Sequence, residues 1–165
     1  HTHSFQKALR SSLRENPDVI LLGEMRDLET MQQALTAAET GHLVFATLHT
    51  TGCANSINRI IDSFPHEQQN QVRTQLSESL RAVFWQTLIK TRDDKSRVAG
   101  IEIMFNNNAI ANMIRKGTTH QINSVIETST KEGMQTMKKS LTDLLQAALI
   151  TEENALLYMP KEFDL

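Results

Sequence analysis

Cysteine is nearly missing from this chain: Cys53 is the only one in 165 residues. A single thiol excludes a disulfide framework and any zinc site built on several thiolates, and it suits a reducing compartment. Glycine is scarce as well, and the first three, Gly23, Gly41 and Gly52, stand too far apart to form a Gly-rich loop that wraps a phosphate. No apolar run approaches the roughly 20 residues that span a bilayer. No secretory signal is visible, so the expected location is the cytosol. Net charge is only −2, which gives no electrostatic reason to expect a hold on nucleic acid. His1, His3, His66 and His120 lack metal-ligand spacing and read as structural or solvated, and there are no repeats or low-complexity segments. An initiator Met is also missing: the chain opens His1-Thr2-His3-Ser4 and runs straight into an amphipathic pattern, so the expectation is a segment from inside a larger protein. What remains is ordinary for a globular protein, 39% hydrophobic and 22% charged, and long enough for one domain or one domain with an appendage.

What is present is a regular alternation. Ser4 caps a predicted helix with Phe5, Leu9 and Leu13 on one stripe, ended by Asn16-Pro17-Asp18. Residues 19–22 are an uninterrupted apolar run, the pattern of a strand buried on both faces. Asp27 caps a helix over 28–39 with Met31, Leu35 and Ala38 inward, and Thr40-Gly41 stops it. Residues 42–48 read as a second buried strand. Helices follow over 54–64 and, after the Pro65 break, from 66 to about 84. Residues 86–90 and 98–105 are hairpin partners around a charged turn at 92–96. Asn106-Asn107-Asn108 caps a helix to 116 that Gly117 ends, and short helices are expected over 120–128, 134–148 and 152–158 before a loose tail at 160–165. Helix and strand in alternation predict an α/β fold with a parallel sheet and crossover helices. A soft boundary falls near residue 107: residues 1–106 form the α/β core and residues 107–165 a helical part.

The chemistry gathers at one expected rim. Glu24 follows four apolar residues and Gly23, which is where α/β nucleotide enzymes place metal and water chemistry. A carboxylate there can hold Mg²⁺ through water or polarise an attacking water; taken alone, it is equally a solvated group that ends a strand. His42 and His49 bracket the next strand, and neighbouring strands lie about 4.8 Å apart. His49 therefore falls on the same rim as Glu24, where an imidazole can hydrogen-bond a terminal phosphate. His42 lies at the opposite end and suits a subunit interface better. Arg26 and Asp27 can pair with each other or, for Arg26, reach phosphate; a surface ion pair is worth little by itself. Thr47, Thr50 and Thr51 supply nearby hydroxyls. The methionines are scattered and mostly core.

The stretch Asn16-Pro17-Asp18-Val19-Ile20-Leu21-Leu22-Gly23-Glu24-Met25-Arg26-Asp27 resembles the Walker B segment of the secretion-ATPase superfamily, whose members power type IV pili and type II secretion. In that family Gly replaces the usual Asp before the Glu, as Gly23 does here. Leu35-Thr36-Ala37-Ala38-Glu39-Thr40-Gly41-His42, continuing through His49-Thr50, resembles the family's His box. Within the superfamily the chain is most similar to the PilT-like retraction ATPases. Ala109-Ile110-Ala111-Asn112-Met113-Ile114-Arg115-Lys116 resembles their Ala-Ile-Arg-Asn-Leu-Ile-Arg-Glu signature. It has Ala111 where Arg is usual and Lys116 where Glu is usual, a pattern open to a retraction motor or a divergent paralogue.

The resemblance implies a RecA-like P-loop NTPase core, partial here, followed by a helical C-terminal part. It implies a homohexameric, cytoplasmic ATPase at the inner-membrane base of a pilus machine, driving retraction and twitching motility with platform proteins as partners. ATP and Mg²⁺ are the implied cofactors. Glu24 and His49 are then the catalytic residues, Glu24, Arg26, His42 and His49 contact the nucleotide, and Glu24 directs Mg²⁺, directly or through water. In that family the Walker A loop, an Asp-box residue and a PAS-like domain precede the region present here, so the isolated chain is expected to be inactive. Two alternatives remain. A type II secretion or pilus-extension ATPase usually carries a four-cysteine zinc site, which one cysteine cannot build. A non-catalytic subunit without a phosphate loop would act as a binding module.

Overall fold

A computed structural model describes residue 15 and residues 17–160. The helix expected from Ser4 and the tail beyond residue 160 lie outside the described residues. Two strands, β1 (Val19–Leu21) and β2 (Leu43–Phe45), pair in parallel with Val19 opposite Leu43 and Leu21 opposite Phe45. The crossover between them is α1 (Leu28–Glu39). Its start is set by Asp27, whose carboxylate accepts from the Thr30 amide at 2.9 Å and from the Thr30 hydroxyl at 3.0 Å. Such a cap satisfies donors that the first turn leaves without partners. α1 buries Met31, Ala34, Leu35 and Ala37, so Ala37 rather than the expected Ala38 takes the fully buried place.

The expectation that β1 and β2 are buried on both faces is corrected. Ile20 and Leu22 pack with Ala34 and Ala37 under α1, but Val19, Leu21, Leu43 and Phe45 are exposed. Among the described residues the helices cover one face of this pair. β2 is also shorter than the predicted 42–48, because after Phe45 the chain keeps pairing only through isolated loop hydrogen bonds.

α2 (Cys53–Asp62) and α3 (His66–Ser79) follow. The helix predicted to reach residue 84 stops at Ser79. Ala82 onward belongs instead to β3 (Ala82–Lys90), antiparallel to β4 (Arg97–Phe105) with Ala82 opposite Phe105 and Lys90 opposite Arg97. The long ladder outweighs the local helical pattern, as β-branched and aromatic side chains gain most from cross-strand neighbours. Asn106 secures the switch: its side-chain amide donates to the carbonyls of Ser77 at 2.9 Å and Leu80 at 3.0 Å, acceptors the end of α3 would otherwise leave free.

After β4 the chain is helical. α4 (Asn108–Lys116) starts on Asn107, whose side chain accepts from the Ile110 amide at 3.1 Å, and ends on Gly117 in the left-handed conformation at φ 72°. A 3₁₀ turn leads into α5 (Ile122–Thr128), then come α6 (Met137–Gln146) and α7 (Glu152–Tyr158). One apolar cluster joins Met31 of α1, Ile57 and Ile61 of α2, Met104 of β4, Ile110 and Ile114 of α4 and Ile122 and Ile126 of α5. It crosses residue 107 without a break. A second cluster holds Ile89, Met137, Leu141 and Ile150. Each fully buried aliphatic side chain of this size stabilises the fold by about 1.5–3 kcal/mol relative to exposure.

Candidate functional site

The rim beyond β1 and β2 is held together by the backbone rather than by further strand. The Leu22 amide donates to the Phe45 carbonyl at 2.7 Å, the Thr47 hydroxyl donates to the Gly23 carbonyl, and the Met25 amide donates to the Thr47 carbonyl at 3.0 Å. These bonds keep the Gly23–Met25 segment against Thr47 after both strands have ended. Glu24 and His49 are thereby delivered to one place: His49 Nε2 lies 3.0 Å from Glu24 Oε1. The other carboxylate oxygen, Oε2, is 2.6 Å from an Arg26 guanidinium nitrogen.

Exposure differs sharply across this trio. The Glu24 side chain is 24% exposed, Arg26 77% and His49 84%. The carboxylate is therefore seated in the rim, and its two partners lean over it from solvent. Ion pairs with such exposed partners are worth about 0–1 kcal/mol, so either partner can leave Glu24 for a better anion at little cost. A phosphate group, with more charge and more acceptor oxygens, is such an anion.

The structure does not bring His42 to this rim. Its Nδ1 lies 3.0 Å from the Ala37 carbonyl and 3.2 Å from the Thr40 hydroxyl, at the C-terminal end of α1. Asp27 is used by the α1 cap. Thr50 joins the loop to α2, with its hydroxyl 2.7 Å from that of Ser56, and the Thr51 carbonyl accepts from the Asn55 side-chain amide at 2.7 Å. Among the described residues no cluster of three metal-ligating side chains exists. A lone carboxylate nevertheless fits Mg²⁺, which is commonly held by one or two carboxylates, water and substrate phosphates.

Sequence reading missed one residue near this loop. Glu102, on β4, is only 4% exposed and accepts from the Cys53 amide at 2.8 Å. Its signal was an acidic residue on the inward register of an otherwise apolar strand, between Gly100 and Met104. Burial, together with the neighbouring Glu102, pushes the Cys53 thiol far above its ordinary range. Cys53 is thus a protonated, packed group under ordinary conditions. No helix among the described residues is long and apolar enough to cross a membrane.

Comparison with known proteins gives a consistent result. The family described as type II/IV secretion system protein matches residues 1–163. A twitching motility protein of Neisseria gonorrhoeae is 57% identical over 94% of this chain and 41% of its own length. The type IV pilus retraction ATPase PilT of Pseudomonas aeruginosa is 54% identical over 93% of this chain and 44% of its own. A crystal structure of the pilus retraction motor PilT with bound ADP superposes with a TM-score of 0.89 at 46% identity, covering 99% of this chain and 46% of that one. The chain therefore spans about two fifths of the length of the curated relatives it matches, and its mixed α/β core with helices on the parallel pair agrees with the RecA-like ATPase fold.

Proposed function

This chain belongs to the type II/IV secretion system protein family, and on that premise we propose that it supplies the water-activating half of an ATP-hydrolysing site in a type IV pilus retraction motor. The observation that carries this is the meeting of Glu24, Arg26 and His49 on one rim, within 3.0 Å of a single carboxylate. No Gly-rich phosphate-binding loop is among these 165 residues, and this reading requires one to be supplied to the site.

The division of labour follows from exposure. Arg26 and His49 occupy both oxygens of Glu24. A terminal phosphate draws the exposed imidazole and guanidinium toward its own oxygens, where charge-assisted hydrogen bonds are stronger than a solvated pair. Glu24 is then free to accept a hydrogen bond from water and orient it for in-line attack. Glu24 is also the residue that would hold Mg²⁺ through water. When bound, the ion would neutralise charge developing on the transferred phosphoryl oxygens. His42 lies too far along the strand for contact with the same phosphate and is assigned instead to a subunit boundary, in keeping with a hexameric assembly.

Residues 107–165 carry the movement to the pilus machinery at the cytoplasmic face of the inner membrane, with platform proteins as the partners. The shared apolar cluster supports this role, because it packs α4 and α5 together with α1 and α2. A non-catalytic binding subunit is the second reading. A pilus-extension or type II secretion role has less support, since Cys53 is single and buried.

The test is ATP turnover. In the full-length gene product, Glu24→Ala is expected to abolish hydrolysis while nucleotide still binds. The 165-residue chain alone is expected to show no turnover. Retained hydrolysis in the variant would remove Glu24 from the mechanism, and an upstream coding sequence with no phosphate loop would favour the binding subunit.

A further inference from the structure

Glu102 is a buried carboxylate that the chemistry above does not use. Both of its oxygens point at helix starts. Oε1 accepts from the amide of Cys53, the first residue of α2, at 2.8 Å, and Oε2 lies 3.4 Å from the amide of Met137, the first residue of α6. First-turn amides have no acceptor within their own helix and carry the positive end of the helix dipole. A buried carboxylate is stable in such a place because it satisfies orphan donors at two helices at once.

α2 has particular need of it. The residue before Cys53 is Gly52, which has no side chain to act as a cap and sits at φ 91°. Only Thr50, Thr51 and Gly52 separate His49 from Cys53. That short loop is fastened to the first turn of α2, where the Ser56 hydroxyl donates to the Gly52 carbonyl at 2.9 Å and meets Thr50 at 2.7 Å. Where the start of α2 goes, His49 follows.

On the other side, α6 is bound to β4 beside Glu102. The Ile101 amide donates to the Ser140 hydroxyl at 3.0 Å, and Gln135 pairs with Ile103 through both backbone bonds, at 2.8 and 3.0 Å. One carboxylate thus joins the loop carrying His49 to β4 and to the start of α6.

We propose that Glu102 is a positioning residue that fixes His49 against Glu24 by holding the start of α2 to β4 and to the start of α6. The role rests on the reading that His49 meets the nucleotide, but the tie itself is measurable without nucleotide. Replacing Glu102 by Gln turns one acceptor into an amide donor, which cannot accept from Cys53 or Met137, so one of the two bonds is lost in either orientation.

The experiment uses the 165-residue chain and two local reporters. Cys53 is its only thiol; because loss of the Glu102 charge by itself favours the thiolate, modification by a disulfide reagent is followed across pH and compared at equal thiolate fraction, so that the remaining difference reads the start of α2. Glu102→Gln is expected to speed that modification by about tenfold to a hundredfold, the weight of a lost hydrogen bond to a charged group. In NMR spectra at fixed pH, the ring resonances of His49 should move further than those of His66, an exposed histidine at the start of α3. Thr136→Ala weakens the start of α6, where the Thr136 hydroxyl caps the Lys139 amide at 3.1 Å, and should shift the same His49 signals with Glu102 intact; it serves as the second variant if Glu102→Gln does not fold. Thiol reactivity that rises only in step with lost global stability, or an unmoved His49 ring in both variants, would overturn the proposal. If the tie is present and Glu24→Ala still hydrolyses ATP, the nucleotide assignment fails and the positioning of His49 stands.

Discussion

Val19, Leu21, Leu43 and Phe45 of the β1–β2 pair stand in water, while β3–β4 sends Ile89 and Met104 to 0% exposure. The parallel strands are three residues long and the antiparallel strands nine. The parallel pair rests on α1 through a small cluster of four buried side chains among the described residues, Ile20, Leu22, Ala34 and Ala37. The hairpin is packed against helices on its inner face, and its outer face still gathers Phe84 and Phe105 into an edge-to-face pair at 6.2 Å. Glu24, Arg26 and His49 stand beside the weaker of the two. Regions with few buried apolar contacts open most readily, so the rim depends on the Asp27 cap, the loop bonds to Thr47 and the tie at Glu102 for its geometry.

The widest difference is expected from side-chain deletion in each region. Ile114→Ala, at 0% exposure in the shared cluster, should cost about 2–5 kcal/mol. Leu21→Ala, at 79% exposure, should change stability by less than about 0.5 kcal/mol. Urea midpoints of the two variants check this, and a large loss at Leu21 would mean that its face is covered in solution. Next in size are the helix ends. Gly117→Ala forces a left-handed alanine at φ 72° and should cost about 1–2 kcal/mol. Asp27→Ala should cost about 1 kcal/mol, but it should also raise hydrogen exchange at Glu24 and Met25, whereas Gly117→Ala should leave those amides unchanged. Equal exchange in both variants would erase the distinction between a self-sufficient region and one held by its caps.

The smallest effect belongs to the hairpin turn. The Thr91 hydroxyl donates to Asp93 at 2.6 Å, and this bond, followed by that from the Lys95 amide, holds the Asp93 carboxyl below its usual range. The folded pKa is the lower one, so the stabilisation is present above the unfolded value and disappears as pH falls through the folded value. Asp93→Asn should lower Tm slightly at neutral pH, and the difference should shrink as pH falls through the carboxylate range. A difference that grew on acidification would reverse the assignment.

Much of the parallel region was legible locally. Asp27, Thr40 and Gly41 bound α1 with ordinary start and stop chemistry, and the spacing of adjacent strands placed His49 near Glu24. What escaped depends on distant residues. The run Val83-Phe84-Trp85 suits a helix or a strand until its partners Met104, Ile103 and Glu102 are present. Glu102 bonds across separations of 49 and 35 residues, which no local pattern encodes. The exposure of Leu21 could not be read either, since an apolar run reports what a side chain would gain by burial and not whether a neighbour is there to bury it.

The uncovered row Val19, Leu21, Leu43 and Phe45 has a thermodynamic consequence for whatever eventually meets it. Removing apolar surface from water lowers heat capacity. A surface that closes over this row should therefore associate with a negative heat-capacity change, and its hold should loosen on cooling and tighten with excluded salts such as sulfate. Calorimetry at several temperatures would thus test a candidate cover by the temperature slope of the binding heat.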